Sequence, residues 1–221
     1  MVRHLDIVIP VGRVHLEGTL SLPEKSIGVV AFAHGSGSSR HSPRNRYVAE
    51  VLHGRRIATL LFDLLTAEED QTYATRFDIS LLTGRLLAAI AWLEENAETQ
   101  RLPIGCFGAS TGAAAALQAA ARRPAIAAVV SRGGRPDLAG ADALASVRAP
   151  TLLIVGGLDD IVIGLNQQAF DLLRCKKHLE IVPGATHLFS EPGTLEQAAA
   201  HAANWFQLHF AGTGKPPGIH P

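Results

Sequence analysis

The sequence predicts an α/β fold in which helices cover both faces of a mostly parallel central sheet. Short runs of consecutive apolar residues alternate with segments of helical periodicity along most of the chain. Strands that are buried on both faces read as such continuous runs, and their alternation with helices is typical of a parallel sheet. Polar or glycine-rich loops follow several of these runs, at the sheet edge where such folds bind ligands.

The first part of the chain follows a different pattern. Residues 5–9 and 14–22 alternate between apolar and polar side chains, and Pro10-Val11-Gly12-Arg13 separates them. Alternation with a period of two predicts half-buried strands, and the intervening turn residues predict a hairpin. We therefore expect the sheet to begin with an antiparallel hairpin.

Six strands and five helices are predicted after the hairpin. Each strand is a short apolar run, and the helices carry apolar residues three or four positions apart. The predicted strands are residues 27–33, 58–62, 104–107, 127–131, 151–155 and 178–182, and a loop is expected over residues 64–75. The predicted helices are residues 45–54, a helix that Asp78 caps, one that ends at Arg122-Arg123-Pro124, residues 163–173, and one that begins near Thr194.

The length of 221 residues suits one domain, which we place at residues 1–211. The remaining residues, 212–221, are rich in proline and glycine and predict a flexible C-terminal tail. Only nineteen residues separate Ser131 from Thr151. That connection has room for one short helix, so we expect no cap domain over the edge of the sheet.

Composition narrows the classes of function. Lys+Arg and Asp+Glu balance at 20 each, which argues against binding to nucleic acid or a membrane surface through bulk charge. The two cysteines form neither a disulfide framework nor a metal-ligand cluster. The N-terminus lacks the apolar core of a signal peptide, and no apolar stretch reaches 18 residues. We expect a cytoplasmic protein, and its oligomeric state is not specified by these patterns.

The segment from Ile104 to Ala113 reads as strand, sharp turn and helix, and it contains Gly108-x-Ser110-x-Gly112. This is the pattern of a nucleophile elbow. A serine hydroxyl is a weak nucleophile that must be presented to a base, and flanking glycines remove side chains that would crowd the turn. The alternative is a tight turn that contains an incidental serine.

An acid and a histidine follow two later strands. Asp159 and Asp160 lie in the loop after residues 151–155, and His187 lies in the loop after residues 178–182. Ser110, an acid and His187 therefore occur in the chain order of a hydrolase triad, each at the same edge of the predicted sheet. Either aspartate can fill the acid position on spacing alone, and the alternative for His187 is a histidine near the start of the last helix.

These motifs resemble those of the α/β-hydrolases, and in particular the small dienelactone-hydrolase-like enzymes. The resemblance covers residues 14–210 and rests on four segments: His34-Gly35, Gly108-Ala109-Ser110-Thr111-Gly112, Gly157-Leu158-Asp159-x-x-Val162 and Gly184-Ala185-x-His187. Dienelactone hydrolases carry a cysteine nucleophile where this chain has Ser110, so the resemblance does not imply their specificity.

The resemblance implies an α/β-hydrolase fold and a role for each matching residue. Ser110 attacks an acyl carbon, His187 transfers the proton, and Asp159, three residues before Val162, orients the histidine. The backbone N–H groups of Thr111 and Ser36 would form the oxyanion hole. His34 is expected to organise its loop rather than to act as a base.

We therefore expect a serine hydrolase that cleaves a small ester, lactone or related acyl bond without a metal or organic cofactor. An acyltransferase or thioesterase with the same triad is one alternative, and a non-catalytic binding protein on this fold is another. Four arginines are predicted on the same rim, and a guanidinium suits carboxylates and phosphates. Arg40, Arg44, Arg132 and Arg135 are therefore candidates for binding a substrate anion, the alternative being ordinary solvated arginines.

Overall fold

A computed structural model of the chain describes residues 1–211, which contain one eight-stranded sheet. The flexible tail predicted for residues 212–221 lies outside the described residues. The strands are β1 (Val2–Val11), β2 (Val14–Pro23), β3 (Gly28–Ala33), β4 (Ile57–Phe62), β5 (Ile104–Ala109), β6 (Ala128–Arg132), β7 (Thr151–Gly156) and β8 (Lys177–Val182).

The strand order is β1-β2-β4-β3-β5-β6-β7-β8. β1 and β2 form the predicted antiparallel hairpin, and β2 also runs antiparallel to β4. All other neighbouring strands are parallel. The predicted fold class is confirmed, and the carboxyl ends of β3 to β8 meet at one edge of the sheet.

Helices cover both faces of the sheet, as predicted. They are α1 (Pro43–His53), α2 (Tyr73–Arg76), α3 (Ile79–Glu95), α4 (Thr111–Arg122), α5 (Ala141–Ser146), α6 (Asp160–Leu172) and α7 (Thr194–Ala211). Buried side chains of α1 and α7 share one apolar cluster with residues of the central strands. Buried side chains of α3 and α4 belong to a second cluster. The strands between these layers are fully buried, which explains their uninterrupted apolar runs.

Three helical regions differ from the sequence prediction, and one of them is α6, which begins at Asp160 rather than at residue 163. α1 begins at Pro43 rather than at residue 45, because the Ser42 side chain accepts a hydrogen bond from the Asn45 N–H and proline is preorganised for the first helical position. The predicted loop over residues 64–75 contains a 3₁₀ turn at Glu69–Gln71 and the start of α2. Asp78 caps α3 as predicted, since its carboxylate accepts from the Leu81 N–H at 2.9 Å.

The connection from β6 to β7 contains only a 3₁₀ turn at Pro136–Ala139 and the short helix α5. No cap domain therefore covers this edge within residues 1–211. Among the described helices, none combines the length and the apolar character needed to cross a bilayer.

Candidate active site

Ser110 lies on a strained turn between β5 and α4. Its backbone has φ 51° and ψ −122°, a region that costs a non-glycine residue of the order of 1–3 kcal/mol. The flanking glycines make the turn sterically feasible. A Cβ at Gly108 would lie 2.4 Å from the Ala113 Cα, and one at Gly112 would lie 2.1 Å from the Ala33 carbonyl oxygen. The geometry is that of a nucleophile elbow, with a half-buried serine at its tip.

His187 and Asp159 are hydrogen-bonded to each other. The His187 Nδ1–H donates to Asp159 Oδ2 at 2.7 Å, and the two side chains are 39% and 16% exposed. A carboxylate can only accept, so this bond fixes the proton of a neutral imidazole on Nδ1 and leaves Nε2 as the acceptor. This is the tautomer that a general base toward a serine hydroxyl needs.

The two candidate acids have different surroundings. Asp159 is the residue that precedes α6, and its carboxylate contacts His187. Asp160 is the first residue of α6 and is exposed to solvent. An acid in the first turn of a helix interacts favourably with the helix dipole, which gives Asp160 a structural role without any contact to the histidine.

A cavity of about 260 Å³ joins Ser110 to His187. Both side chains line it, together with Gly35 and Ser36 from the loop after β3. Ser110 Oγ forms no hydrogen bond with His187 in the described part of the chain. Such bonds are often long in unliganded enzymes and shorten when substrate binds. The structure therefore brings the predicted nucleophile and base to one cavity without closing the contact between them.

The loop after β3 runs directly beside Ser110. A Cβ at Gly35 would lie 3.0 Å from the Ser110 Cβ. The Ser36 N–H, a predicted oxyanion-hole donor, donates to Thr111 Oγ1 at 3.0 Å. Thr111 is the first residue of α4, so its own N–H has no acceptor within the helix. Of the two predicted donors, the Thr111 N–H has no acceptor within the helix, whereas the Ser36 N–H already donates to the Thr111 hydroxyl.

His34 has both ring nitrogens engaged in organising this loop. Its Nδ1–H donates to the Gly35 carbonyl at 3.0 Å, and its Nε2 accepts from the Leu64 N–H at 3.0 Å. Burial lowers the pKa of His34, so the ring is neutral as these bonds require. The arrangement agrees with the loop-organising role expected from the sequence.

The four candidate arginines fall into two groups. Arg40 forms ion pairs with Asp63 and Glu17, and Arg135 forms a bidentate ion pair with Asp137 at 2.7 and 2.9 Å. Neither lines the cavity at Ser110. Arg44 and Arg132 do line it, and neither forms an ion pair within residues 1–211.

Other residues around the cavity were not identified from the sequence. Ser38, Ser42 and Asn45 line it because α1 begins close to Ser110. The Ser42-Pro43 pair is a helix-start signal that indicates this placement. Glu191 accepts from the N–H and hydroxyl of Thr186 at 3.0 and 2.6 Å and so braces the loop that carries His187. That contact spans five residues of irregular backbone and has no sequence signature.

Comparisons with known proteins agree with the fold. The family model described as the dienelactone hydrolase family matches residues 55–210. A crystal structure of a dienelactone hydrolase from Anabaena variabilis is 54% identical, with a TM-score of 0.92, and the match covers 94% of this chain and 98% of that chain. The structure of Est1E from Butyrivibrio proteoclasticus is 17% identical, with a TM-score of 0.79 over 94% of this chain and 99% of its own, and shows the shared fold alone.

One curated relative is described as a transferase rather than as a hydrolase. A Mycobacterium tuberculosis protein described provisionally as a phosphoribosyl transferase is 59% identical over 213 residues. The match covers 96% of this chain but 48% of that protein. The chain thus spans about half of the length of this curated relative.

Proposed function

Because the chain belongs to the dienelactone hydrolase family, we propose that it is a serine hydrolase that cleaves a small ester, lactone or related acyl bond. The observation that carries the proposal is the strained turn at Ser110 on the same cavity as the hydrogen-bonded pair of His187 and Asp159. A cost in backbone strain at a serine that faces a base is typical of a functional site.

In the proposed reaction, Ser110 Oγ attacks the acyl carbon while His187 Nε2 takes the hydroxyl proton. The C–O bond of the ester breaks, and the alcohol leaves with that proton from His187. Water then attacks the acyl-enzyme, again losing a proton to His187, and the carboxylic acid is released as Ser110 regains its hydrogen. Asp159 holds the imidazole in the required tautomer and stabilises its charged form.

The developing oxyanion requires fixed donors. The Thr111 N–H is the first proposed donor, because it has no acceptor within α4 and the positive end of the helix dipole supports an anion there. The Ser36 N–H is the second proposed donor. Since it now donates to Thr111 Oγ1, its participation requires that it share or exchange this acceptor when substrate binds.

The name of the mycobacterial relative concerns a longer protein. The match covers 48% of that protein, so its name does not carry a proposal of phosphoribosyl transfer for this chain. The remaining alternatives are transfer of the acyl group to an alcohol or thiol instead of water, and binding without catalysis.

Hydrolysis of p-nitrophenyl esters from acetate to octanoate tests the proposal. The wild type is expected to turn over the short esters, and Ser110→Ala to reduce kcat by about 10⁴-fold or more. Ser190→Ala, at an exposed serine outside the cavity lining, is the matched control and should retain wild-type rates.

Added alcohol or thiol distinguishes hydrolysis from transfer, because a transferase would give a new ester or thioester product. Undiminished turnover by Ser110→Ala would refute the mechanism. A folded wild type without turnover toward any of the esters would favour the binding-protein alternative.

A further inference from the structure

Arg132 is a buried cation that forms no ion pair within residues 1–211. Its residue is 7% exposed, and neither Nε nor Nη1 has a hydrogen-bond partner in the described part of the chain. Nη2 makes only a long contact of 3.5 Å with Asn45 Oδ1, and the Phe189 ring centroid lies 5.6 Å from the guanidinium carbon. A buried charge without a partner is strongly disfavoured, so an anion from outside the described residues would stabilise this guanidinium.

A second cation makes the deficit larger. Arg44 lines the same cavity, and no aspartate or glutamate does. Desolvation first, and then the charge of Arg44, lower the pKa of Arg132 to about 10. Arg132 therefore remains charged at neutral pH, and the cavity holds two uncompensated positive charges.

Neutral donors surround these two charges. Ser36, Ser38 and Ser42 line the cavity, and Ser42 caps the N-terminus of the eleven-residue helix α1. Pro43 has no N–H and the Asn45 N–H is bonded to Ser42 Oγ, so the start of α1 contributes the partial positive charge of its dipole rather than a set of free N–H donors. Two guanidinium groups, several hydroxyls and a helix N-terminus thus converge on one small space.

We propose that the substrate of the Ser110 site is an ester that carries a phosphate monoester, and that Arg132 and Arg44 bind this dianion. The inference rests on the proposed function and names its substrate class. A phosphate carries a charge of about −1.5 to −2 at neutral pH and three acceptor oxygens. A carboxylate has one charge and two oxygens, which would leave one of the two cations uncompensated.

The backbone places Arg132 beside Ser110. Arg132 is the Cα partner of Ala109 across β5 and β6, and its carbonyl oxygen accepts from the Ser110 N–H at 3.4 Å. Neighbouring strands lie about 4.8 Å apart. Arg132 and Ser110 therefore lie at the ends of neighbouring strands, and both line the same cavity of about 260 Å³.

Calorimetric titration with inorganic phosphate tests the proposal without requiring turnover. The full chain carrying Ser110→Ala should bind phosphate, and should bind it more tightly than acetate at equal ionic strength. Adding Arg132→Met should weaken phosphate binding by about 10- to 100-fold, since charge-assisted hydrogen bonds are lost. Arg44→Met, at a half-buried position, should weaken phosphate binding by about two- to fivefold. This variant replaces Arg132→Met as the test if the latter fails to fold.

Arg135→Met is the matched control, because its guanidinium is paired with Asp137 outside the cavity, and it should change the Kd by less than about twofold. Absence of phosphate binding, or binding that both cavity variants leave unchanged, would overturn the proposal. Tighter binding of acetate than of phosphate would overturn the dianion assignment. Phosphate binding that Arg132→Met abolishes supports the anion site even if no ester is hydrolysed, in which case the proposed hydrolase function alone has failed.

Discussion

Two cavities are lined in part by residues of α1, and they differ in how their polar groups are paired. The larger, of about 350 Å³, is lined by His4, Ser21, Arg40, His53 and Thr59 among others. Its histidines pair with hydroxyls, His4 with Ser21 and His53 with Thr59, both at 2.8 Å, and Arg40 is paired with two carboxylates.

The cavity at Ser110 is smaller, about 260 Å³, and some of its polar groups lack the partners that those of the larger cavity have. Ser110 has a strained backbone, and Arg132 has no counterion within the described chain. The comparison teaches that cavity size is a poor indicator of function here. Backbone strain at Ser110 and the unpaired charge of Arg132 distinguish the candidate active-site cavity, because both cost stability and such costs are typical of functional sites.

The largest expected effect is on kcat and follows from replacing Asp159, the acid of the proposed triad. Asp159→Asn should lower kcat by about 10⁴-fold, because an asparagine favours the wrong histidine tautomer. Asp160→Asn, at the exposed neighbouring position, should remain within about threefold of wild type. The measurement is steady-state hydrolysis of p-nitrophenyl acetate, and a crippled Asp160→Asn beside an active Asp159→Asn would show that the acid has been assigned to the wrong residue.

A side chain larger than glycine in the turn at Ser110 should destabilise the protein. Gly112→Ala places a Cβ 2.1 Å from the Ala33 carbonyl oxygen, so the backbone of β3 or α4 must shift. We expect a loss of about 3 kcal/mol in the free energy of unfolding, at the upper end for overpacking.

Gly164→Ala is the matched control for this substitution. A Cβ at Gly164, within α6, meets no atom within 4 Å, and an alanine there should add about 0.5–1 kcal/mol through helix propensity. Urea denaturation measures both variants, and wild-type stability in Gly112→Ala would contradict the described packing.

Removing the unpaired charge should stabilise the protein. The pKa of Arg132, lowered to about 10 by desolvation and then by Arg44, indicates that the folded environment disfavours the charged form. Arg132→Met, which keeps most of the side-chain volume, should raise the free energy of unfolding by about 1–2 kcal/mol at pH 7. A clear loss of stability in urea denaturation would mean that Arg132 is already well accommodated in the unliganded cavity.

The smallest expected effect is on the pH dependence of stability, and it comes from His53 in the larger cavity. Burial, and then repulsion from His4, lower the pKa of His53 to about 4. The unfolded ring takes a proton near its ordinary pKa of 6.5, whereas the folded ring does so only near 4. Stability from this group is therefore complete above pH 6.5 and is lost progressively as the pH falls toward 4.

Because solvent screens this half-buried side chain, we expect the loss to be of the order of 1 kcal/mol. His53→Gln should reduce the difference in unfolding free energy between pH 7.5 and pH 4.5 by that amount. The buried His34 is present in both proteins, so its contribution cancels. An unchanged pH dependence would show that His53 titrates equally in the folded and unfolded chain.

Local patterns predicted much of the fold and the positions of the candidate site residues. The apolar runs marked β3 to β7 because these strands are buried on both faces, and the glycines at 108 and 112 marked the turn because only they fit there. The shared location of Ser110, Asp159 and His187 could be predicted because each follows a strand, and the carboxyl ends of parallel strands meet at one edge of the sheet. Their catalytic roles stay predictions.

Long-range partners could not be read from the sequence. Arg40 and Arg132 both looked like rim arginines, yet Arg40 meets Asp63 across 23 residues of chain and Arg132 meets no acid within residues 1–211. Which side chain faces a cavity depends on the exact end of a strand and on the start of α1 at Pro43. These are tertiary facts that composition and spacing do not encode.

The most direct test of the account is labelling with a fluorophosphonate probe, followed by peptide mass spectrometry. The probe reacts only with an activated hydroxyl, so the wild type should carry one adduct, on Ser110, and His187→Ala should react far more slowly. An unlabelled wild type, or an adduct on another serine, would contradict the claim that the strained turn presents a nucleophile.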